Sequence, residues 1–260
     1  MSEPKGYVDT AYLDLAGQVL RPAKAHSYAR MQIQAGSVVL DVGCGPGIDT
    51  VLLGGLVGAE GAVVGLDYDE GMVAEADRRA AEAGVSNWVR HLRAEATSLP
   101  FQSGTFDAVR SERLFQHLHD PIRALGEIAR VTKTGGSIVV LDTDWGTLSI
   151  DTEEPDISRR LARVLAEECH HNGYAGRQLY GLFRQHGLAE VSIEMFPIPT
   201  TSYRMACIGL SLGQGERHAI ETGAVTSEEL SCWHSEVEQR EAAGRFFASM
   251  SLMLVAGRKI

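Results

Sequence analysis

Val38-Val39-Leu40-Asp41-Val42-Gly43-Cys44-Gly45-Pro46-Gly47 decides the fold. The β-branched, apolar first half reads as a buried strand of a parallel sheet. The glycines that follow permit a sharp turn and a close backbone approach to a ligand, because they carry no Cβ. Ile48 to Leu56 continues as a helix, so the turn opens onto a helix N-terminus. Strand, glycine turn and helix together form a cradle for a nucleotide-type cofactor. Cys44 sits in that turn as a small residue that fits.

The pattern repeats downstream. Ala62 to Asp67 is a second short strand ending in an acid, twenty residues past Gly47. An acid there suits hydrogen bonds to ribose hydroxyls. Tyr68 and Met72 follow, placed for flat apolar contact with a base. Glu70 to Gly84 reads as a crossover helix, Val89–Arg93 as a third strand, Phe106–Ser111 as a fourth and Ser137–Leu141 as a fifth. Asp120-Pro121 caps and opens a helix to about Thr132. Helices follow at 155–172 and 176–187, a strand at Val191–Phe196, helix and loop over 201–245, and a last strand within 246–260. Strands alternating with helices predict a doubly wound, mostly parallel seven-stranded α/β sheet. Residues 9–20 and 22–34 read as an N-terminal helical lid, within which Tyr12 is a candidate substrate contact. The expected organisation is a single domain: lid 1–36, cofactor-binding core 37–144, substrate-shaping cap 145–245 inserted before the last strand.

Bulk composition narrows the partners. The chain has 260 residues, 44% of them hydrophobic, and a formal net charge of −10. Without a Lys/Arg run it is a poor nucleic-acid or anionic-membrane binder. No stretch approaches the ~20 apolar residues of a membrane span, and the first residues have no apolar signal core. A cytoplasmic protein is expected. The four cysteines, Cys44, Cys169, Cys207 and Cys232, lack metal or redox spacing.

Taken together, these motifs resemble class I S-adenosylmethionine-dependent methyltransferases, and among them the ubiquinone/menaquinone-type small-molecule methylases. Val39 to Gly47 is similar to their first motif, Asp67 to their ribose acid, and Glu95-Ala96 before Leu99-Pro100-Phe101 to their adenine contact. Phe106 to Val109 and Ile128 to Gly136 resemble the motifs around their fourth and fifth strands. Glu95 stands where Asp is commoner, Thr97 replaces an acid and Thr134 a proline. A nicotinamide-dependent oxidoreductase would want a third glycine where Ile48 stands. A descendant that binds the cofactor without methylating is the other alternative.

The resemblance implies that S-adenosylmethionine is the cofactor and that a small molecule is methylated on O, N or C. Cofactor contacts are then expected from Asp41, Gly43, Cys44, Gly45, Gly47, Asp67, Tyr68, Met72, Glu95, Ala96 and Ser111. Acceptor chemistry is expected after the fourth strand. His117 there is the candidate general base, with local packing as its alternative role. Phe115, Gln116, Trp145 and Tyr203 are candidate pocket residues. Asp142 and Asp144 lack a third ligand, so no metal is expected. His170-His171 are adjacent on an expected helix, point apart, and make no metal pair. Expected partners are a methyl acceptor, no nucleic acid and no membrane; a homodimer is a possible assembly.

Overall fold

A computed structural model describes residues 20–260. The expected first lid helix and Tyr12 lie outside the described residues. α1 (Arg21–Met31) leads into β1 (Val38–Val42), α2 (Ile48–Val57), β2 (Ala62–Asp67), α3 (Glu70–Glu82), β3 (Val89–Arg93) and β4 (Phe106–Glu112). A 3₁₀ turn, Phe115–His117, precedes α4 (Pro121–Val131) and β5 (Thr132–Ile150). The remainder is α5 (Pro155–Glu167), α6 (Ala175–Gln185), β6 (Ala189–Thr200), α7 (Tyr203–Gly209), α8 (Leu212–Glu221), α9 (Ser227–Ala242) and β7 (Ala248–Arg258).

The seven strands form one sheet in the order β3-β2-β1-β4-β5-β7-β6. β1 to β4 pair in parallel, as does β4 with β5; β7 runs antiparallel to both β5 and β6. The central strands are covered on both faces. Val39 turns to the side holding α1 and α2, where it meets Met31, Leu53 and Val57. Leu40 turns to the opposite side, with Leu125, Ile128 and Phe183. Both residues are fully buried, which is why β1 lacks an apolar–polar alternation.

Helix starts follow local chemistry. The Asp69 carboxylate accepts from Met72 N at 2.8 Å, and that of Asp120 from Arg123 N at 2.9 Å, with Pro121 in the first turn of α4. α2 instead begins at Gly47, whose φ is +79°.

Two expected elements are corrected. The fifth strand runs over residues 132–150 rather than 137–141, because its second half pairs with β7 through Asp144↔Ser251 and Ile150↔Ala248. The helix expected over 155–172 stops at Glu167, and residues 168–174 fold back on it. A separate hydrophobic cluster gathers Trp145, Leu161, Leu165, Trp233, Phe246 and Met250. No helix among the described residues is long and apolar enough to cross a membrane.

Candidate active site

The glycine turn hangs from the second strand. Gly43 N and Cys44 N both donate to the Leu66 carbonyl, at 2.7 and 2.8 Å. Gly45 N donates to Asp67 Oδ2 at 2.9 Å, and Asp69 N to Oδ1 at 3.0 Å. Burial raises the Asp67 carboxyl above its usual range, against the pull of these amides. Gly43, Gly45 and Gly47 all have positive φ, which favours glycine. A Cβ on Gly43 would stand 3.1 Å from Leu114, and one on Gly47 2.7 Å from Ala76 Cβ. The small residue at 47 therefore lets α3 pack against the turn. Cys44 is buried, and its Sγ would lie 2.8 Å from a Cβ on Gly65, which fits its role as a small packing residue.

The ribose and adenine candidates come together at one end of the sheet. Asp67 is the register partner of Arg93, and Ala94 N donates to the Asp67 carbonyl at 3.0 Å, so Glu95 and Ala96 follow directly beside it. Met72 is buried in the first turn of α3, whereas Tyr68 is exposed.

Behind the turn lies a buried ionic network. Lys24 Nζ reaches Asp49 Oδ2 at 2.8 Å and Glu112 Oε1 at 3.0 Å. Arg110, fully buried, pairs with Asp41 at 3.3 Å, with Asp49 at 3.2 Å and with Glu112. Arg113 is 3.5 Å from Glu112, and the Tyr28 hydroxyl donates to Asp49. Burial pushes the Asp41 carboxyl up despite Arg110. Burial would also raise Asp49, but Arg110 and Lys24 outweigh it and hold that carboxyl well below the usual range. Asp41 thus faces Arg110. It is not among the residues lining the cavity described next.

A cavity of about 520 Å³ opens from Gly43, Gly45 and Ile48. Its polar floor is Lys24, Asp49 and Glu112; its far walls are Gln116, His117, Trp145 and His170, with Met205, Leu210 and Arg217 from the cap. The loop carrying Gln116 is pinned by Asp142, whose carboxylate accepts from Phe115 N at 2.7 Å and Thr143 N at 2.8 Å. Burial pushes the Asp142 carboxyl up to about 7 against those amides. Trp145 Nε1 donates to Gln116 Oε1 at 2.8 Å, and Gln116 Nε2 lies 3.0 Å from His117 Nε2. An indole N–H only donates, so it fixes the orientation of the amide. Gln116 therefore donates to His117 Nε2, and that lone pair is taken within the protein.

Residues 40–140 match the methyltransferase domain family. An uncharacterised 37.1 kDa protein of the transposon Tn4556 of Streptomyces fradiae is 32% identical over 259 residues, which cover 96% of this chain and 71% of that protein. The demethylmenaquinone methyltransferase of Shouchella clausii is 37% identical over 121 residues, 46% of this chain and 51% of that enzyme, so the chain spans about half its length. Among solved structures, the YcgJ protein of Bacillus subtilis superposes with a TM-score of 0.65 at 21% identity, covering 92% of this chain and 98% of that one. The chain belongs to the class I S-adenosylmethionine-dependent methyltransferases.

The methyltransferase's turn fits that cofactor, because Gly43, Gly45 and Ile48 line the cavity beside it. The buried Ser111 hydroxyl, level with Val42, has no hydrogen-bonding partner among the described residues and lies behind the residues that line the cavity.

Two expected pocket residues lie outside the cavity lining. Phe115 is 1% exposed and packs into the sheet core with Leu125 and Ile128, because the Asp142 bond to its amide turns the loop inward. Tyr203 does not line the cavity. Its hydroxyl donates to Glu216 Oε1 at 2.8 Å and lies 2.9 Å from His234 Nε2, and its ring packs edge-on to Trp233 and Phe246. The Asp142 carboxylate is occupied by backbone amides, and Asp144 Oδ2 takes Arg177 Nε at 2.5 Å. Among the described residues no three acidic, histidine or cysteine side chains are grouped to hold a metal. Glu112 and Arg113 on the cavity wall belong to the segment after the fourth strand where acceptor chemistry is expected; Lys24, Asp49 and His170 carry no signal in the sequence that places them there.

Proposed function

We propose that this methyltransferase methylates a small molecule held in the cavity between the glycine turn and the cap. The observation that carries the reading is the continuity of that cavity, from Gly43 and Gly45 to Trp145 and His170. Bound S-adenosylmethionine supplies an electrophilic methyl group. The chain supplies position: Gly43 and Gly45 admit the backbone to the methionine half. Asp67 holds the ribose, Glu95 and the Ala96 backbone meet the adenine edge, and Tyr68 and Met72 flank it. Asp41 acts indirectly, by fixing Arg110 beneath the floor. In-line displacement needs acceptor, carbon and sulfur aligned, and fixing reactants in this way supplies up to ~7–11 kcal/mol of the barrier. The cap helices shut water out of the acceptor side.

The apolar residues of that side, Ile198, Leu210, Met250 and Leu252, support an acceptor with an apolar body. His117 lines this space, but its Nε2 is held by Gln116. That favours the role of shaping the wall over that of a general base. The acceptor of the demethylmenaquinone relatives is not carried over, since the match to them covers under half of this chain. The test is thermal unfolding with S-adenosylhomocysteine, followed by radiolabelled methyl transfer to panels of hydroxyl, amine and carbon acceptors. Ligand at a hundredfold excess over its Kd stabilises by ~2.7 kcal/mol. Absence of any shift at millimolar ligand refutes the cofactor assignment. Binding without transfer to any panel refutes the acceptor reading.

A further inference from the structure

α5 stops at Glu167, and the chain turns back tightly. A Cβ on Gly173 would stand 2.2 Å from the Ala166 carbonyl oxygen, so only glycine permits the turn. The turn lays His170 flat against Trp145 on the cavity wall, with ring centroids 4.1 Å apart and planes 17° from parallel. His170 is 5% exposed. Its Nδ1 lies 2.9 Å from the Leu165 carbonyl oxygen. A carbonyl only accepts, so Nδ1 carries the proton and the neutral ring keeps a bare lone pair on Nε2. No group among the described residues hydrogen-bonds to that nitrogen. Burial holds the imidazole down to about 4, so the ring is neutral at physiological pH. The neighbouring His117, whose ring centroid is 6.2 Å away, differs in just this respect, because Gln116 occupies its Nε2.

We propose that His170 Nε2 accepts a hydrogen bond from the methyl acceptor, so that the pocket selects apolar-bodied molecules carrying an O–H or N–H group. The proposal rests on the methyltransferase reading and narrows its acceptor class. A buried lone pair left unpaired disfavours any occupant without a donor. A site built to bond a polar group rejects the analogue that lacks it more sharply than an apolar pocket rejects a missing methylene. Met205, Leu210 and Met250, on the same cavity wall, supply the apolar contact.

The test uses the full chain loaded with S-adenosylhomocysteine, and para-cresol against para-xylene as probes. The xylene replaces the hydroxyl by a methyl of similar size and loses the donor. NMR titration is expected to show para-cresol binding about tenfold more tightly, the worth of one buried hydrogen bond. His170→Phe keeps a ring beside Trp145 and is expected to bring the ratio near one. On the unaltered chain, ¹⁵N imidazole spectra are expected to show His170 neutral with its proton on Nδ1; this readout stands even if the variant fails to fold. Equal binding of the two probes, binding of neither at millimolar concentration, a retained preference in His170→Phe, or a proton on Nε2 overturns the proposal. Failure of S-adenosylhomocysteine to bind in the same samples falls instead on the methyltransferase reading.

Discussion

Lys24→Met isolates the ionic network beneath the cavity. Asp41, Asp49 and Glu112 supply three carboxylates; Lys24, Arg110 and Arg113 supply three cations. Methionine keeps the length and packing of the lysine stem but leaves one buried negative charge uncompensated. The Lys24 side chain is 8% exposed and its two partners are 10% and 6% exposed, so water replaces it only in part, from the cavity side. Removing one member of such a pair costs about 3–5 kcal/mol. At ~2–4 °C per kcal/mol for a chain of this size, Tm should fall by roughly 6–20 °C. The sign of the pH dependence follows. A carboxylate without its cation takes up a proton more readily in the folded than in the unfolded chain, so its folded pKa is raised. The deficit is full above that folded pKa and shrinks as pH falls through it. Adding Asp49→Asn removes the excess charge and should restore part of the loss. Urea unfolding of the two variants at neutral and mildly acidic pH measures all three effects. A deficit under about 1 kcal/mol, unchanged with pH, would refute the reasoning by placing the network in the range of solvated surface pairs.

Gly47→Ala meets two penalties, about 1 kcal/mol for its left-handed backbone and about 1–3 kcal/mol for overlap with Ala76; chemical unfolding and S-adenosylhomocysteine titration should both show the loss. Tyr203→Phe leaves the buried Glu216 short of a donor and should destabilise by about 1–3 kcal/mol, with S-adenosylhomocysteine affinity unchanged in calorimetry because the cluster stands outside the cavity. His170 is held neutral in the folded chain down to about pH 4, whereas the unfolded chain protonates it near 6.5. The unfolded state therefore binds more protons in that window, and stability falls as pH drops through it. His170→Phe lacks this contribution, so its unfolding free energy should gain on the parent by up to about 3 kcal/mol between neutral pH and pH 4.

The cofactor half was legible because its rules are local. A β-branched run, glycines at positive φ and an acid closing the next strand lie within thirty residues, and each is dictated by nearest-neighbour sterics. The acceptor half depends on long-range pairing. The sequence ends β5 at Leu141, since Asp142, Thr143 and Asp144 break the apolar run; they stay in strand because β7, more than a hundred residues on, pairs with them. In sequence His170 is one of two adjacent histidines on an expected helix. The helix ends earlier, and Gly173 was the visible sign that the chain turns there. Lys24, Asp49, Arg110 and Glu112 each look like an ordinary surface charge in sequence. Only the packing of α1 over β4 makes them one buried network.

The length of β5 has a mechanical consequence. One strand serves the parallel core at residues 137–141 and the cap at 149–150, and β7 and β6 run the same distance beside it. The β6–β7 ladder is unbroken from Ser192↔Ala256 to Thr200↔Ala248, whereas the β5–β7 ladder shifts register between Asp144 and Ser149, so a swing of the outer part would have to bend the β6–β7 pair. Amide hydrogens of 142–144 should then exchange as slowly as those of 138–141. Faster exchange confined to the outer stretch would show instead that the pair bends there.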